Sequence, residues 1–251
     1  MVQSQAMSKS LPAPTPPSQT GTHDGLAWAM WMPKNELIGG VLILHGAGSQ
    51  KENHFPIARD YAAAGIAAVC FDQRGHGAST GPMDARIISD AVGIAGLLPD
   101  GPVALRGSSM GGWVALAAAA PLGASALMAI CPTTSGQLLE GVRSGRLPFN
   151  CDESALATVL DRGDPPAPSM ATLLMHAAGD EVVPVARSRE LAPLLAHPQS
   201  RFLEVPGGHH RSLQHDPEMV SLGVRFTAKQ LKAAQSGSAG ASTSPPSREF
   251  T

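Results

Sequence analysis

Short runs of apolar residues alternate along this chain with longer stretches in which apolar residues recur at helical spacing. The short runs have the length of β-strands and are apolar on both faces, which is typical of strands in a covered sheet. They lie at residues 40–44, 66–71, 102–106, 125–131, 171–176 and 201–205, with a weaker strand at 27–32 before them. The helical stretches lie at residues 54–64, 85–98, 109–120, 186–196 and 217–232.

This alternation of strand and helix predicts the α/β class, with a doubly wound and mostly parallel sheet. One stretch breaks the rhythm. Residues 135–169 contain four prolines and form an insert of a length that is often functional. We therefore expect a short cap over the sheet at about 135–169.

The two ends of the chain differ in composition from its interior. Residues 1–22 are rich in Pro, Ser, Gln and Thr, and residues 234–251 are mostly Ser, Gly, Ala, Pro and Thr. Such segments bury too little apolar surface to offset the entropy of ordering them. The sequence therefore predicts one domain at 23–233 between two disordered tails.

A G-x-S-x-G pattern follows the strand that precedes residue 107. It reads Gly107-Ser108-Ser109-Met110-Gly111, and a helix rich in Ala and Leu comes directly after it. A serine on such a tight strand-to-helix turn has a strained backbone, and its hydroxyl projects above the sheet. The alternative is a glycine-rich helix start in which Ser108 or Ser109 is only the N-cap.

The same pattern occurs a second time, around Ser79. Polar loop residues precede that copy, and Pro82 follows it. This context lacks both the strand and the helix, so it favours a plain turn.

A nucleophilic serine needs a base, and the base needs a carboxylate that orients it. Asp180 follows the strand at 171–176, and the pair His209-His210 follows the strand at 201–205. Loops at the carboxyl ends of parallel strands meet at one edge of the sheet. Asp180 can also be a turn residue or a helix cap, and the residues alone leave both histidines open as the base.

A glycine-rich turn, His45-Gly46-Ala47-Gly48-Ser49, follows the strand at 40–44. The backbone N–H groups of Ala47 and Met110 are candidates to bind an oxygen that becomes negative in acyl transfer. The turn lacks the G-K-[ST] of a phosphate loop, and no G-x-G-x-x-G opens the next helix. No H-E-x-x-H or C-x-x-C pattern is present, so we expect neither a metal site nor a cofactor.

Charge and composition narrow the possible partners. The net charge is −2 with neutral histidines, and the sequence has no clustered basic charge for nucleic acid and no long apolar run for a membrane. Three cysteines cannot form a closed disulfide framework, and no secretory signal is visible. These features predict a reduced, cytoplasmic protein with a small-molecule substrate, and they leave its oligomeric state open.

Taken in chain order, five motifs make the chain resemble the α/β-hydrolase superfamily over residues 26–232. They read H-G-A-G, D-Q-R-G-H-G, G-S-S-M-G-G, G-D-E-V-V-P and P-G-G-H-H. The resemblance implies that Ser109 is the nucleophile, Asp180 the acid and His210 the base, since relatives often read P-G-x-x-H. It implies a structural role for His76.

The chain departs from the family pattern in two places. Arg106 precedes the nucleophile turn where many relatives carry other residues. The leading hairpin of larger members is expected to be short or absent, so the chain resembles a compact serine esterase or serine aminopeptidase.

The resulting functional prediction is hydrolysis of small to medium carboxylic esters through an acyl-enzyme on Ser109. Apolar residues of the insert are expected to form a wall for the acyl chain, namely Leu138, Leu139, Val142, Leu147 and Phe149. A peptidase or amidase, a thioesterase or a cofactor-free perhydrolase would use the same three residues. A non-catalytic binding protein with this fold is the alternative of a different class, and its mark would be a broken triad.

Overall fold

The computed structural model describes residues 14–240 of the chain, with side chains up to residue 237. The strands of this part are β1 Gln19–His23, β2 Leu26–Trp31, β3 Gly39–Leu44, β4 Ile66–Phe71, β5 Val103–Ser108, β6 Ala126–Ile130, β7 Ala171–Ala177 and β8 Arg201–Val205. The α-helices are α1 Phe55–Ala63, α2 Ile87–Ala95, α3 Met110–Ala119, α4 Ser135–Arg143, α5 Glu153–Leu160, α6 Ala186–Leu191 and α7 Pro217–Gly240. Each strand and helix predicted from the pattern is present, most of them within two residues of the predicted ends.

All the strands belong to one sheet, in the order β1-β2-β4-β3-β5-β6-β7-β8. The pairs β1–β2 and β2–β4 are antiparallel, and every other neighbouring pair is parallel. From β3 the chain moves first to β4 on one side and later to β5 on the other. The doubly wound, mostly parallel α/β fold is thus confirmed.

The core lies on both faces of the sheet, as strands without a polar face require. Along β3, Leu42 and Leu44 point to the layer that contains α2 and α3, whereas Val41 and Ile43 point to the layer of α1 and α7. All four side chains are almost fully buried. Burial on both faces makes β3 and its neighbours a rigid base for the loops at their carboxyl ends.

The predicted N-terminal tail is wrong for residues 19–22, and the leading hairpin is present. β1 pairs antiparallel with β2 along its whole length, and the hairpin turns at Asp24 and Gly25, which both have positive φ. All five residues of β1 are exposed, so the sequence has no apolar pattern there that would predict a strand. Backbone hydrogen bonds to β2 hold it in place instead.

The predicted C-terminal boundary is also too early, because α7 continues to Gly240. Leu231 is the last fully buried apolar side chain of that helix. Beyond it the sequence carries small and polar residues, which give no amphipathic signal. The rest of both predicted tails, residues 1–13 and 241–251, lies outside the described residues.

The insert at 135–169 contains α4 and α5, which contact each other. The side chain of Thr134 accepts from the backbone of Gln137, and that of Asp152 accepts from Ala155, so both helices are capped at their N-termini. Leu138, Leu139 and Val142 are buried in the core layer of α2 and α3. The insert is therefore a packed part of the domain.

Candidate active site

The turn between β5 and α3 holds Ser109 in a rare backbone conformation. Its φ is 53° and its ψ is −120°, a combination that costs on the order of 1–3 kcal/mol for a residue with a side chain. The backbone N–H of Ser109 donates to the carbonyl of Ile130 at 2.9 Å, and its own carbonyl accepts from Gly112 and Trp113. These backbone hydrogen bonds hold the turn in place and so keep Ser109 in its strained conformation.

Two glycines let the helix that follows Ser109 approach the sheet closely. A Cβ on Gly107 would collide with the carbonyl of Gly111, and a Cβ on Gly111 would collide with the carbonyls of Leu44 and His45. Since backbone atoms cannot move aside, any larger residue would displace the N-terminus of α3. The glycines of the G-x-S-x-G pattern are therefore steric requirements of this turn.

A continuous line of hydrogen bonds joins the three residues expected from the sequence. The Oγ atom of Ser109 lies 2.8 Å from Nε2 of His210, and Nδ1 of His210 lies 2.8 Å from Oδ2 of Asp180. Ser109 comes from the end of β5, Asp180 follows β7 and His210 follows β8. The sheet thus brings together residues that lie far apart in the chain.

The side chain of Asp180 is fully buried and has more partners than His210 alone. Its Oδ1 accepts from the backbone N–H groups of Val182 at 2.9 Å and Val183 at 2.8 Å. Burial raises the pKa of Asp180, but hydrogen bonds from His176, His210 and Val183 outweigh that effect and hold the pKa well below its usual range. Asp180 is therefore a fixed negative charge facing His210.

His176 is a further partner of Asp180, and none of the sequence motifs points to it. Its Nε2 lies 3.3 Å from Oδ2 of Asp180 and 2.8 Å from the carbonyl of Val183, while its Nδ1 lies 2.7 Å from Oγ of Ser188. This pattern places the ring proton on Nε2 and lets Nδ1 accept from the serine. The only sequence signal was a spacing of four residues between His176 and Asp180.

His209 does not point along this line. Its Nδ1 accepts from the backbone N–H of Arg211 at 3.3 Å, and its carbonyl accepts from Ser212. The residue is exposed and belongs to the turn that carries its neighbour. Of the two candidate bases, the geometry brings only His210 to Ser109.

The loop that carries His210 is tied to β5 by Gln214. Oγ of Ser108 donates to Oε1 of Gln214 at 2.9 Å, and Nη2 of Arg106 donates to the carbonyl of Gln214 at 2.7 Å. Both donors belong to β5, the strand that directly precedes Ser109. The position of His210 relative to Ser109 thus depends on these two bonds.

The glycine-rich turn after β3 lies beside Ser109, as the sequence predicts. A Cβ built on Gly46 would lie 3.2 Å from Cβ of Ser109. Within the described residues, the backbone N–H groups of Ala47 and Met110 donate to no protein acceptor. They are available to an oxygen atom bound next to Ser109.

Buried histidines hold this turn in shape. Nδ1–H of His45 donates to the carbonyl of Gly46 at 2.8 Å, and its Nε2 accepts from the backbone of Gln73 at 3.0 Å. Nε2 of His76 accepts from Gly48 at 3.2 Å. His45 must be neutral to accept at Nε2, and burial lowers its pKa to about 4.

Acidification is expected to destabilise the fold through His45. Its pKa is 6.5 unfolded and about 4 folded, so between these values the unfolded chain binds more protons and stability falls as pH falls. The full loss is about 3 kcal/mol, and urea unfolding at pH 8 and pH 4.5 measures most of it.

His45→Gln is the matched control for this pH effect, because other buried histidines also titrate. The variant should be less stable than the parent at pH 8 but should lose less stability on acidification. An equal loss in both proteins would mean that His45 does not carry the effect.

The second G-x-S-x-G copy is a structural turn. Oγ of Ser79 donates to the carbonyl of Asp72 and accepts from the backbone N–H of Ala27 at 2.9 Å. The carboxylate of Asp72 accepts from Nζ of Lys51 at 2.7 Å. The two partners of its hydroxyl within the described residues are backbone groups rather than a histidine ring, so Ser79 lacks the setting of a nucleophile.

A cleft of about 470 Å³ opens over Ser109. The insert contributes only Leu147 and Pro148 to its lining, while Leu138, Leu139 and Val142 are buried in the core. Phe149 packs against the ring of His76. The expected apolar wall is therefore wrong for all but Leu147, because the amphipathic face of α4 packs inward.

Polar side chains form much of the cleft instead. Its lining includes the side chains of Ser49, Asn53, Glu181, His209, His210, Arg211, Gln214 and His215. Val182 is exposed at the same opening. The cleft thus offers hydrogen-bonding groups as well as a short apolar side.

Cys131 lies next to the line of hydrogen bonds. Its sulfur and ligand atoms of Asp180 and His210 lie within 4.8 Å of one another, a grouping that could hold a metal ion. Burial raises the pKa of Cys131 to about 12, and the nearby carboxylate of Asp180 adds to the shift. Since Asp180 and His210 already bond to each other and the thiol resists ionisation, these residues fit a metal poorly.

No helix in residues 14–240 combines the length and hydropathy needed to cross a membrane. The three cysteines are all free thiols, and Cys70 and Cys131 are buried.

Comparison with known sequences finds a family profile that matches the central part of the chain. The profile described as "Alpha/beta hydrolase family" matches residues 41–162, which contain Ser109 but neither Asp180 nor His210. An uncharacterized abhydrolase domain-containing protein of Dictyostelium discoideum is 33% identical over 103 residues. That match covers 39% of this chain and only 11% of the Dictyostelium protein, so the chain spans about a tenth of that relative.

Solved structures show the same fold over most of the chain. Mouse alpha/beta hydrolase domain-containing protein 10 superposes with a TM-score of 0.66 at 20% identity, covering 86% of this chain and 98% of its own. Monoglyceride lipase from Saccharomyces cerevisiae gives 0.68 at 14% identity, covering 91% and 100%. Est1E from Butyrivibrio proteoclasticus, solved with ferulic acid, gives 0.63 at 20% identity, covering 87% and 100%.

Proposed function

Because residues 41–162 match the alpha/beta hydrolase family profile and the chain shares its fold with solved α/β hydrolases, we propose that it is a serine hydrolase of this superfamily that cleaves small to medium carboxylic esters. One observation carries the proposal, namely the unbroken line of hydrogen bonds from Ser109 through His210 to Asp180. A non-catalytic member of the family has no need to keep a strained serine aligned with a histidine and a buried carboxylate.

The first half of the reaction acylates Ser109. Nε2 of His210 takes the hydroxyl proton while Oγ of Ser109 attacks the ester carbon, and the carbonyl oxygen becomes negative. The free N–H groups of Ala47 and Met110 bind that oxygen, a contribution of about 3 kcal/mol per donor to lowering the barrier. His210 then gives its proton to the leaving alkoxide as the C–O bond breaks.

The second half releases the acid. A water molecule occupies the place of the departed alcohol, and Nε2 of His210 takes one of its protons as the oxygen attacks the acyl carbon. The bond to Oγ breaks, and His210 returns the proton to Ser109. Asp180 holds Nδ1–H of His210 throughout and stabilises the imidazolium that forms in each half.

The size of the cleft favours compact esters over long acyl chains. A volume of about 470 Å³ lies in the lower half of the range typical of small-molecule sites. Related folds carry esterase and lipase names, such as the monoglyceride lipase of Saccharomyces cerevisiae. An amide or a thioester would use the same groups, and the leaving group alone distinguishes these reactions.

A fluorophosphonate probe tests the proposal directly. The probe should label the folded protein, mass spectrometry should place the adduct on Ser109, and the labelled protein should be inactive. A panel of p-nitrophenyl esters, thioesters and aminoacyl anilides then ranks the leaving groups, and we expect the short esters to react fastest. Absence of both labelling and turnover would favour the non-catalytic alternative.

Replacing Asp180 by asparagine is expected to reduce kcat by about 10⁴-fold. The amide would favour the tautomer of His210 whose proton is on Nε2, which cannot accept the proton of Ser109. Stopped assays with a short p-nitrophenyl ester measure the loss, and circular dichroism confirms that the variant folds.

Glu181→Gln is the matched control, since Glu181 is the adjacent acid. It is exposed, and its Oε2 accepts only weakly from the backbone of His210 at 3.3 Å. The amide oxygen retains that acceptor, so we expect a loss of less than about tenfold. Comparable losses in the two variants would leave the identity of the acid open.

A further inference from the structure

A cluster of polar side chains lies behind one wall of the cleft, on the face of the sheet that α1 and α7 cover. We call it the basic cluster, and its members are His54, Arg106, Gln214 and His215. Gln214 and His215 line the cleft, whereas His54 and Arg106 are buried beneath them. The mechanism proposed above uses none of the ring or guanidinium nitrogens of this cluster.

Arg106 is a buried cation without a carboxylate partner among the described residues. Its side chain is 1% exposed, its Nη2 donates to the carbonyl of Gln214, and its Nη1 has no partner. Burial lowers the pKa of Arg106. The groups whose ionised form would stabilise its charge are Tyr61 and Cys70, and burial raises the pKa of both, so they are neutral at pH 7 and offer no negative charge. Burying a guanidinium in this way costs free energy of desolvation unless an anion lies close enough to pair with it.

His54 adds two more unsatisfied atoms to the same cluster. Both of its ring nitrogens are buried and lack a partner in the described residues. Its ring centroid lies 5.4 Å from that of His215, which faces the cleft. Of five such unsatisfied buried side-chain atoms in the described residues, three therefore belong to His54 and Arg106.

The charge of Arg106 reaches the cleft through these neighbours. Burial, and after it the charge of Arg106, lowers the pKa of both His54 and His215. Both rings thus stay neutral at pH 7 and can donate one hydrogen bond each. The field at this wall of the cleft is positive without any contribution from protonated histidine.

The acidic groups of the cleft have their hydrogen-bond partners in the loops that carry Asp180 and His210. The carboxylate of Asp180 faces His210 and His176, and that of Glu181 faces the backbone of His210, so both lie on the His210 side of the cleft rather than at the wall of Gln214 and His215. Arg211 stands exposed on the same rim and adds a further positive charge. The wall that contains Gln214 and His215 therefore favours an acceptor with negative charge.

We propose that the wall formed by Asn53, Gln214 and His215, backed by Arg106 and His54, binds a carboxylate of the substrate. The inference rests on the proposed function and narrows the class of substrate. The preferred esters carry a free carboxylate on the acyl or the alcohol side. Arg106 lies beneath this wall with no carboxylate partner among the described residues, so its charge favours a carboxylate placed over the wall, and His215 offers that carboxylate a donor. Asn53 completes the wall with its exposed amide.

Equilibrium binding tests this subsite without any need for turnover. Titration calorimetry compares adipate with adipamide, which has the same length and no charge. We expect adipate to bind the intact protein at least about tenfold more tightly. Equal affinities, or no binding of either, would overturn the inference and indicate that ordered water alone satisfies the cluster.

Variants locate the binding. Arg106→Met should abolish the preference for adipate, and Arg106→Lys should restore part of it. Because Arg106 also holds Gln214, the exposed His215→Leu is the second variant, and it should reduce the preference at least about threefold. Arg225→Gln, which removes an exposed charge from α7, should leave the preference intact, so an equal loss there would contradict a local site.

Turnover separates failure of the subsite from failure of the enzyme. Mono-p-nitrophenyl adipate and 4-acetoxybenzoate, each compared with its methyl ester, probe the acyl and the alcohol side. The carboxylate form of at least one pair should have the higher kcat/KM by about tenfold. Faster hydrolysis of both methyl esters overturns the subsite alone, whereas inactivity on all four substrates overturns the proposed function and leaves the binding test to decide the subsite.

Discussion

Replacing Ser109 by alanine is expected to reduce kcat for a short p-nitrophenyl ester by about 10⁶-fold. The variant keeps the free N–H groups of Ala47 and Met110 but has no atom that can form the acyl-enzyme. Removing the nucleophile also leaves Nε2 of His210 without its partner at 2.8 Å. Initial rates at enzyme concentrations high enough to detect residual turnover measure the effect.

Two other serines provide the controls for this variant. Ser79→Ala removes two structural hydrogen bonds of a turn and should lower the melting temperature more than kcat. Ser108→Ala removes the bond to Gln214 and should cost roughly tenfold through the position of His210. If Ser108→Ala were the inactive protein and Ser109→Ala retained turnover, the assignment of the nucleophile would be wrong.

His210→Ala is expected to cause a loss of the same size, about 10⁶-fold in kcat. Without the ring, no side chain in residues 14–240 is left as a hydrogen-bond partner that can take the proton of Ser109. The carboxylate of Asp180 would also lose the partner at 2.8 Å that most directly faces the cleft. The loss should be independent of the leaving group, since proton transfer is needed in both halves of the reaction.

His209→Ala is the matched control, because both histidines belong to one loop. His209 bonds only to the backbone of its own turn through its ring, so its loss should cost less than about tenfold. Comparing kcat/KM for the two variants with one ester settles which residue is the base. An inactive His209→Ala beside an active His210→Ala would contradict the geometry described above.

The sheet was predictable because burial on both faces leaves a strong signal. Residues 66–71 match β4 at both ends, and residues 171–176 match β7 to within one residue. The turn at Ser109 was predictable for a related reason, since a buried strand, two glycines and an apolar helix meet there in sequence. Asp180 and the two histidines followed from the rule that loops at carboxyl strand ends converge.

Other features left no such signal. β1 is wholly exposed and is held by backbone hydrogen bonds, which any sequence without proline can make. The apolar residues of α4 have the spacing of an amphipathic helix. That spacing does not indicate whether the apolar face of the helix packs against the cleft or against the core. Leu138 and Leu139 meet the core.

The basic cluster was out of reach for a different reason. His54, Arg106 and His215 belong to three separate segments, and no local pattern relates a buried arginine on a strand to histidines in two loops. The sequence marked Arg106 only as an unusual residue before the nucleophile turn. Its meaning depends on which polar atoms the packed fold leaves without partners.

The bonds that join Ser109, His210 and Asp180 span 101 and 30 positions of the chain. Contacts of such long range form late, because the intervening segment must be ordered before they can close. During synthesis, β5 and α3 leave the ribosome before β8 and the loop after it have been made, so Ser109 is present before His210 is. In the proposed mechanism, Ser109 therefore has no base beside it until the loop after β8 has been made and has packed against the end of β5.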